Sequence, residues 1–267
     1  MRRTISVLGI LVLTVLLVAS SAQGYNGGPL RNVTDLSPTC AGCHSSMQKE
    51  QLRVEPEAFA ASQVVENKHY KQLDAGEGPY KDVPAADRQK LLQDVKTHDA
   101  NASVTLSAPS SVRPGQEVQV TATVKGGSGV VGVFLLDTDL RFQSRPISGD
   151  GWVIVGTPKI WGPDGKEQTR WVDSRGPGLK KNLNFVLIFD MMSDIAAQKF
   201  PEGKVTWTLR APQDPGAYTI AVAFIYGSEK ASPVGRVERA GTVFPRGGPA
   251  GPSSHILFSK VHQITVR

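Results

Sequence analysis

The chain has only two cysteines in 267 residues, and both fall in one five-residue stretch. A disulfide-dense scaffold is therefore excluded, and so is a four-cysteine zinc site, since no second pair exists to complete it. Aromatic residues are sparse at 7%. No G-x-S-x-G, H-E-x-x-H or phosphate-loop pattern occurs, so hydrolase, zinc-peptidase and nucleotide-binding readings have no residues to rest on. Long apolar runs are lacking too. The run from Ile5 to Val18 falls short of the roughly 18 to 20 residues that span a bilayer.

That run is informative in another way. It follows Met1-Arg2-Arg3 and ends in Ala19-Ser20-Ser21-Ala22-Gln23-Gly24, which is the basic, apolar and small-residue order of a secretory signal peptide. Cleavage after Ala22 is expected, and retention as a membrane anchor is the alternative. The mature chain is then periplasmic or otherwise extracytoplasmic. Formal net charge is +6, and it is unevenly spread. Tyr25 to Leu106 carries 9 basic and 11 acidic residues, whereas Ser107 to Arg267 carries 19 and 13. The asymmetry suits two domains and a docking bias. It is too scattered for a nucleic-acid partner.

The two cysteines stand in Cys40-Ala41-Gly42-Cys43-His44. This C-x-x-C-H spacing is the attachment signature of c-type haem, in which two thiols take the vinyl groups and the histidine reaches the iron. A plain disulfide, the ordinary reading of two exported cysteines, is the alternative; a thioredoxin-like dithiol would need a strand-helix-strand setting, and a Pro-containing loop precedes the motif instead. The N-terminal part resembles a monohaem c-type cytochrome on these residues. The resemblance implies one covalent haem c on Cys40 and Cys43, with His44 as one axial ligand.

The second axial ligand is not given by the motif. Met47 is too close to His44 to reach the opposite face of a porphyrin, and Met191 and Met192 lie far along the chain. His69 and His98 both sit on apolar helical faces. His69 is favoured, His98 is the alternative, and an open or Met-ligated site is the third choice. A lone histidine on such a face is more often a packed core residue, and that reading stands beside the functional one. His255 and His262 read as structural or surface residues.

Two composition regimes divide the chain. Ala61, Val65, His69 and Leu73 recur every four residues, and a second helix follows Asp82 and Pro84 with Leu91, Val95 and His98 on one face. From Ser103 the period becomes two. Glu117 to Val124 alternates strictly, and Gly129 to Leu136 is continuously apolar. Further strands are expected at Gly151–Gly156, Leu183–Phe189, Lys204–Leu209, Ala217–Ile225 and Ile256–Val266. Lys204 to Pro212 followed by Pro215-Gly216-Ala217-Tyr218 resembles the last strands of reelin-type and related bacterial immunoglobulin-like sandwiches. The four tryptophans, Trp152, Trp161, Trp171 and Trp207, read as core. Asp137-Thr138-Asp139 lacks the glycine and closing glutamate of a calcium loop.

The expected fold is α+β and multidomain: a signal peptide over 1–22, a small helical cytochrome c-like haem domain over 23–102, and an antiparallel immunoglobulin-like β-sandwich over 103–267. The function this implies is electron transport by an exported iron protein. Its partner would be a redox protein, membrane complexes included. A haem enzyme or gas sensor with an open axial site is one alternative. An adhesion or binding sandwich with an accessory cytochrome is the other.

Overall fold

The structure is a computed structural model, and it describes residues 70–137, 147–177, 180, 183–248 and 254–267. Two antiparallel sheets make the body. One has the order β1-β3-β7-β5, formed by Ser103–Ser107, Glu117–Lys125, Glu202–Arg210 and Val153–Trp161. The other has the order β2-β12-β8-β4-β6, formed by Ser111–Val112, His262–Val266, Gly216–Gly227, Ser128–Leu136 and Phe185–Met192. Strand β11, Ser254–Phe258, pairs with the far half of β8 beside β12. A β9–β10 hairpin, Arg236–Arg239 and Thr242–Pro245, stands apart. Among the described residues only the short β2–β12 contact is parallel.

Alternation builds the interior. On β7, Val205, Trp207 and Leu209 point inward and are buried, as Val120, Ala122 and Val124 are on β3. They share one core with Val131, Val133, Leu135 and Phe224 of the opposite sheet. Each Val, Leu or Phe among them contributes about 1.5–3 kcal/mol by leaving water. The Trp207 indole N–H donates to the Leu183 carbonyl at 2.8 Å, so its polar edge is satisfied inside the core. Trp152 and Trp171 are also buried, whereas Trp161 is partly exposed with the Lys204 ammonium 4.6 Å from its ring centre.

A helical strap precedes the sandwich. It comprises α1 (Lys71–Ala75), a 3-10 turn at Gly78–Tyr80 and α2 (Ala85–Asn101). Gly76 ends α1 in the left-handed conformation, φ 71°. Pro84 occupies the N-cap of α2, two residues after the Asp82 expected there. A proline has no N–H to leave unpaired at that end. The apolar face of α2 buries Leu91 and Val95 together with Leu73, Tyr80 and Val83. Ala102 alone separates α2 from β1.

These elements correct the expected fold class. Among the described residues no multi-helical cytochrome c-like haem domain exists. The helices between Lys71 and Asn101 form one strap laid on the sandwich through side-chain contacts with Gly127, Ser193, Glu229, Ser232 and His255, and the remaining described helices are single turns between strands. Cys40, Cys43, His44 and His69 lie outside the described residues, as does the segment read as a signal peptide.

Candidate functional site

The densest convergence of ionisable side chains lies where the last turn of α2 meets the sheet. His98 is fully buried because it continues the Leu91 and Val95 face toward Tyr226 on β8 and Phe200. The ring centres are 5.3 and 6.1 Å away. Its Nε2 lies 3.0 Å from the Gly127 amide nitrogen and 3.1 Å from the Ser193 hydroxyl. The Gly127 carbonyl, also 3.0 Å away, already accepts the Ser193 backbone N–H at 3.0 Å. A buried amide needs an acceptor, so Nε2 accepts from Gly127 and the ring proton sits on Nδ1. Nδ1 lies 3.7 Å from Asp99 Oδ1, close enough for attraction but too far for a hydrogen bond.

Gly127 is what permits this approach. Its φ is 120°, and a Cβ there would lie 2.5 Å from Val131 Cγ1 and 2.8 Å from the Met191 carbonyl oxygen. Only glycine fits.

Asp99, next in the chain, has a side chain only 10% exposed. Its Oδ2 accepts the Tyr70 hydroxyl at 2.9 Å and lies 2.9 Å from His255 Nδ1. Burial alone would push this carboxyl up. The charge and hydrogen bond of His255, with a smaller contribution from His98, outweigh it and hold Asp99 well below the usual carboxylate range. His255 is buried on β11 directly opposite Tyr226 in the strand register. Burial, then the negative charge of Asp99, pushes the Tyr226 phenol well above its ordinary value. The result is one carboxylate enclosed by two imidazoles and two phenols. It fixes charge and orientation, with His98, His255, Tyr226 and the Asp99 carboxylate almost wholly shut away from solvent and Tyr70 half-buried at the rim.

This geometry overturns the cytochrome reading as far as the described residues carry it. His98, the alternative axial ligand, spends Nε2 on Gly127 and Ser193. Among the described residues no group of three or more His, Cys, Asp or Glu side chains is placed to hold a metal ion. The haem c cofactor, the iron and metal-binding role and electron transport are thereby withdrawn as the account of this chain. The expected Cys40, Cys43, His44 and His69 site lies outside the described residues.

No known protein family matches this chain. No curated protein matches it either. Among solved structures, it is similar to a CARDB domain from Pyrococcus furiosus in complex with di-metal ions. Identity is 11%, over 62% of this chain and 90% of that one, with a TM-score of 0.25. It is also similar to the sporulation control protein Spo0M of Bacillus subtilis, at 14% identity over 62% of this chain and 49% of that one, with a TM-score of 0.24. Scores this low carry no argument.

Sequence reasoning singled out His98 and missed its partners. Asp99 adjoins it, and His255 interrupts an apolar strand, but nothing local links the two. An open cleft of about 340 Å³ elsewhere is lined by Pro163, Asp164, Lys166, Glu167, Gln168 and Asp190. No helix among the described residues is long and apolar enough to cross a membrane.

Proposed function

We propose that this chain is an exported, non-catalytic binding module: a β-sandwich that presents its surface to a protein partner outside the cytoplasm, with a helical strap locked onto one end. One observation carries this. The Asp99 cluster, where chemistry-bearing side chains converge, is enclosed between strap and sheet and spends its hydrogen bonds on holding them together. A catalytic carboxylate and imidazole need substrate within hydrogen-bond reach, and enclosed groups meet none. The basic, apolar and small-residue order of the first 24 residues supports export.

The test uses the full chain in its own cell. A photo-crosslinking residue is placed singly at exposed Val153, Met192 and Val243, and cells are fractionated before irradiation. A tagged chain outside the cytoplasm, with one competable protein adduct from at least one position, is expected. Retention in the cytoplasm, turnover of a substrate by purified protein, or a visible chromophore in it would overturn the proposal.

A further inference from the structure

A second acid ties the strap to the sandwich, and it is held in the opposite way from Asp99. Glu229 lies in a 3-10 turn after β8, Glu229–Ala231, and is 1% exposed. Its Oε2 accepts the Tyr80 hydroxyl at 3.1 Å and the Gly247 backbone N–H at 2.9 Å. Among the described residues Oε1 is buried without a hydrogen-bond partner. A charged carboxylate with one oxygen unsatisfied in the interior is far costlier than a neutral carboxyl there. The site is closed tightly, because a Cβ on Gly235 would collide with the Glu229 backbone.

The charged surroundings do not rescue the anion. Arg246 offers partial compensation, Lys230 is the middle residue of the turn, and the Arg236 guanidinium donates to the Lys230 carbonyl. Helix α2, packed on the same turn, brings Asp94, whose Oδ2 accepts Ser232 and pairs with Lys90 at 2.7 Å. Strands β4 and β10, which also pack there, carry no ionisable side chain. Burial pushes Glu229 up to about 7, with Gly247, Tyr80 and Arg246 opposing it only in part.

We propose that the strap is a pH-operated clasp, in which ionisation of Glu229 loosens the Tyr80 and α2 docking while acid closes it. The cheapest relief for a buried anion is to meet water, and the strap is the layer whose Tyr80 contacts it. The proton leaves to solvent as the clasp opens. The sign follows from linkage. The open form has the ordinary value near 4.5, so it ionises first as pH rises, and docking weakens from there to about 7 and then levels off. Asp99 stays charged across this window and holds the other end of the strap. The device does not rest on the binding role proposed above.

Hydrogen exchange of the full chain, corrected for the intrinsic rate, tests this. The opening equilibrium of the α2 amides should rise on the order of a hundredfold between about pH 5 and about pH 8. In Glu229→Gln the step should vanish, because no charge can form. In Tyr80→Phe it should move to higher pH, because the anion loses a donor. A pH-independent wild type, or an unchanged step in Glu229→Gln, overturns the proposal. If Glu229→Gln does not fold, the Tyr80→Phe midpoint decides, and an unmoved midpoint overturns it.

Discussion

Asp99 Oδ2 on the last turn of α2 lies 2.9 Å from His255 Nδ1 on β11, joining the strap to a strand near the chain's far end. Both side chains are largely buried, with the His255 ring packed between Tyr226 and Tyr70, so little water is at hand to replace either partner. Burying an ion pair is not stabilising in itself, because desolvation offsets the attraction. Removing one member is the expensive change, since it strands the other.

Asp99→Ala should therefore destabilise the protein by about 3–5 kcal/mol, read as a lower denaturant midpoint at unchanged slope. Its pH dependence has a definite sign. A carboxyl held low in the folded state contributes stability that is present above its ordinary value of 3.8 and lost as pH falls below it. Acid unfolding of the wild type should be steep there. In Asp99→Ala that steepness should be reduced, and equal slopes would contradict the linkage.

Gly127 should be intolerant of any side chain. A methyl group would collide with Val131 and the Met191 carbonyl at a φ that L-residues rarely adopt. Gly127→Ala is expected to cost about 3 kcal/mol, combining backbone strain with overpacking. Gly165 is the control, with φ 73° and open space around its Cβ position. Gly165→Ala should cost only about 1 kcal/mol. Thermal unfolding of the pair under identical conditions separates crowding from conformation.

The burial of these elements was readable from residue order, but their purpose was not. Leu91, Val95 and His98 announced a buried helical face, and α2 buries all three. Periodicity reports that a side chain is inside and says nothing of what it meets there. His98 therefore fitted an iron ligand as well as it fits the Gly127 amide. The Asp99–His255 contact is non-local and leaves no pattern in either segment. Among the strands, Arg236–Arg239 and Thr242–Pro245 went unseen because they are short and mostly solvent-facing. Ile256 to Val266 read as one strand because no glycine or proline marks the break at Ser259–Val261 that divides β11 from β12.

The Trp207 indole should show its hydrogen bond as well as its bulk. Trp207→Phe keeps an aromatic ring in the core but leaves the Leu183 carbonyl without its donor. A loss of about 2–3 kcal/mol is expected, from the orphaned acceptor and the smaller ring together. Trp152→Phe, at an equally buried position where the indole N–H has no partner among the described residues, gives the volume effect offset by relief of that unpaired donor. Equal losses in the two variants would show that the hydrogen bond contributes nothing.

Gln168 closes the edge of the second sheet. Its side-chain amide accepts the Phe189 N–H at 2.9 Å and donates to the Phe189 carbonyl at 3.1 Å, as a neighbouring strand would. Strand β6 is the end of the β2-β12-β8-β4-β6 order, and an open edge strand invites pairing with another chain. Just beyond, Asp190 has φ 65° where the β4–β6 register shifts, and a bulge of this kind makes an edge a poorer template for pairing. Gln168→Ala should lose about 1 kcal/mol of stability and, more tellingly, should self-associate at concentrations where the wild type does not. Light scattering across a dilution series reads this directly. Gln168→Glu separates the two halves of the contact, since it keeps an acceptor for the N–H while losing the donor and adding charge. It should be destabilised yet remain unassociated, because like charges on two exposed edges repel.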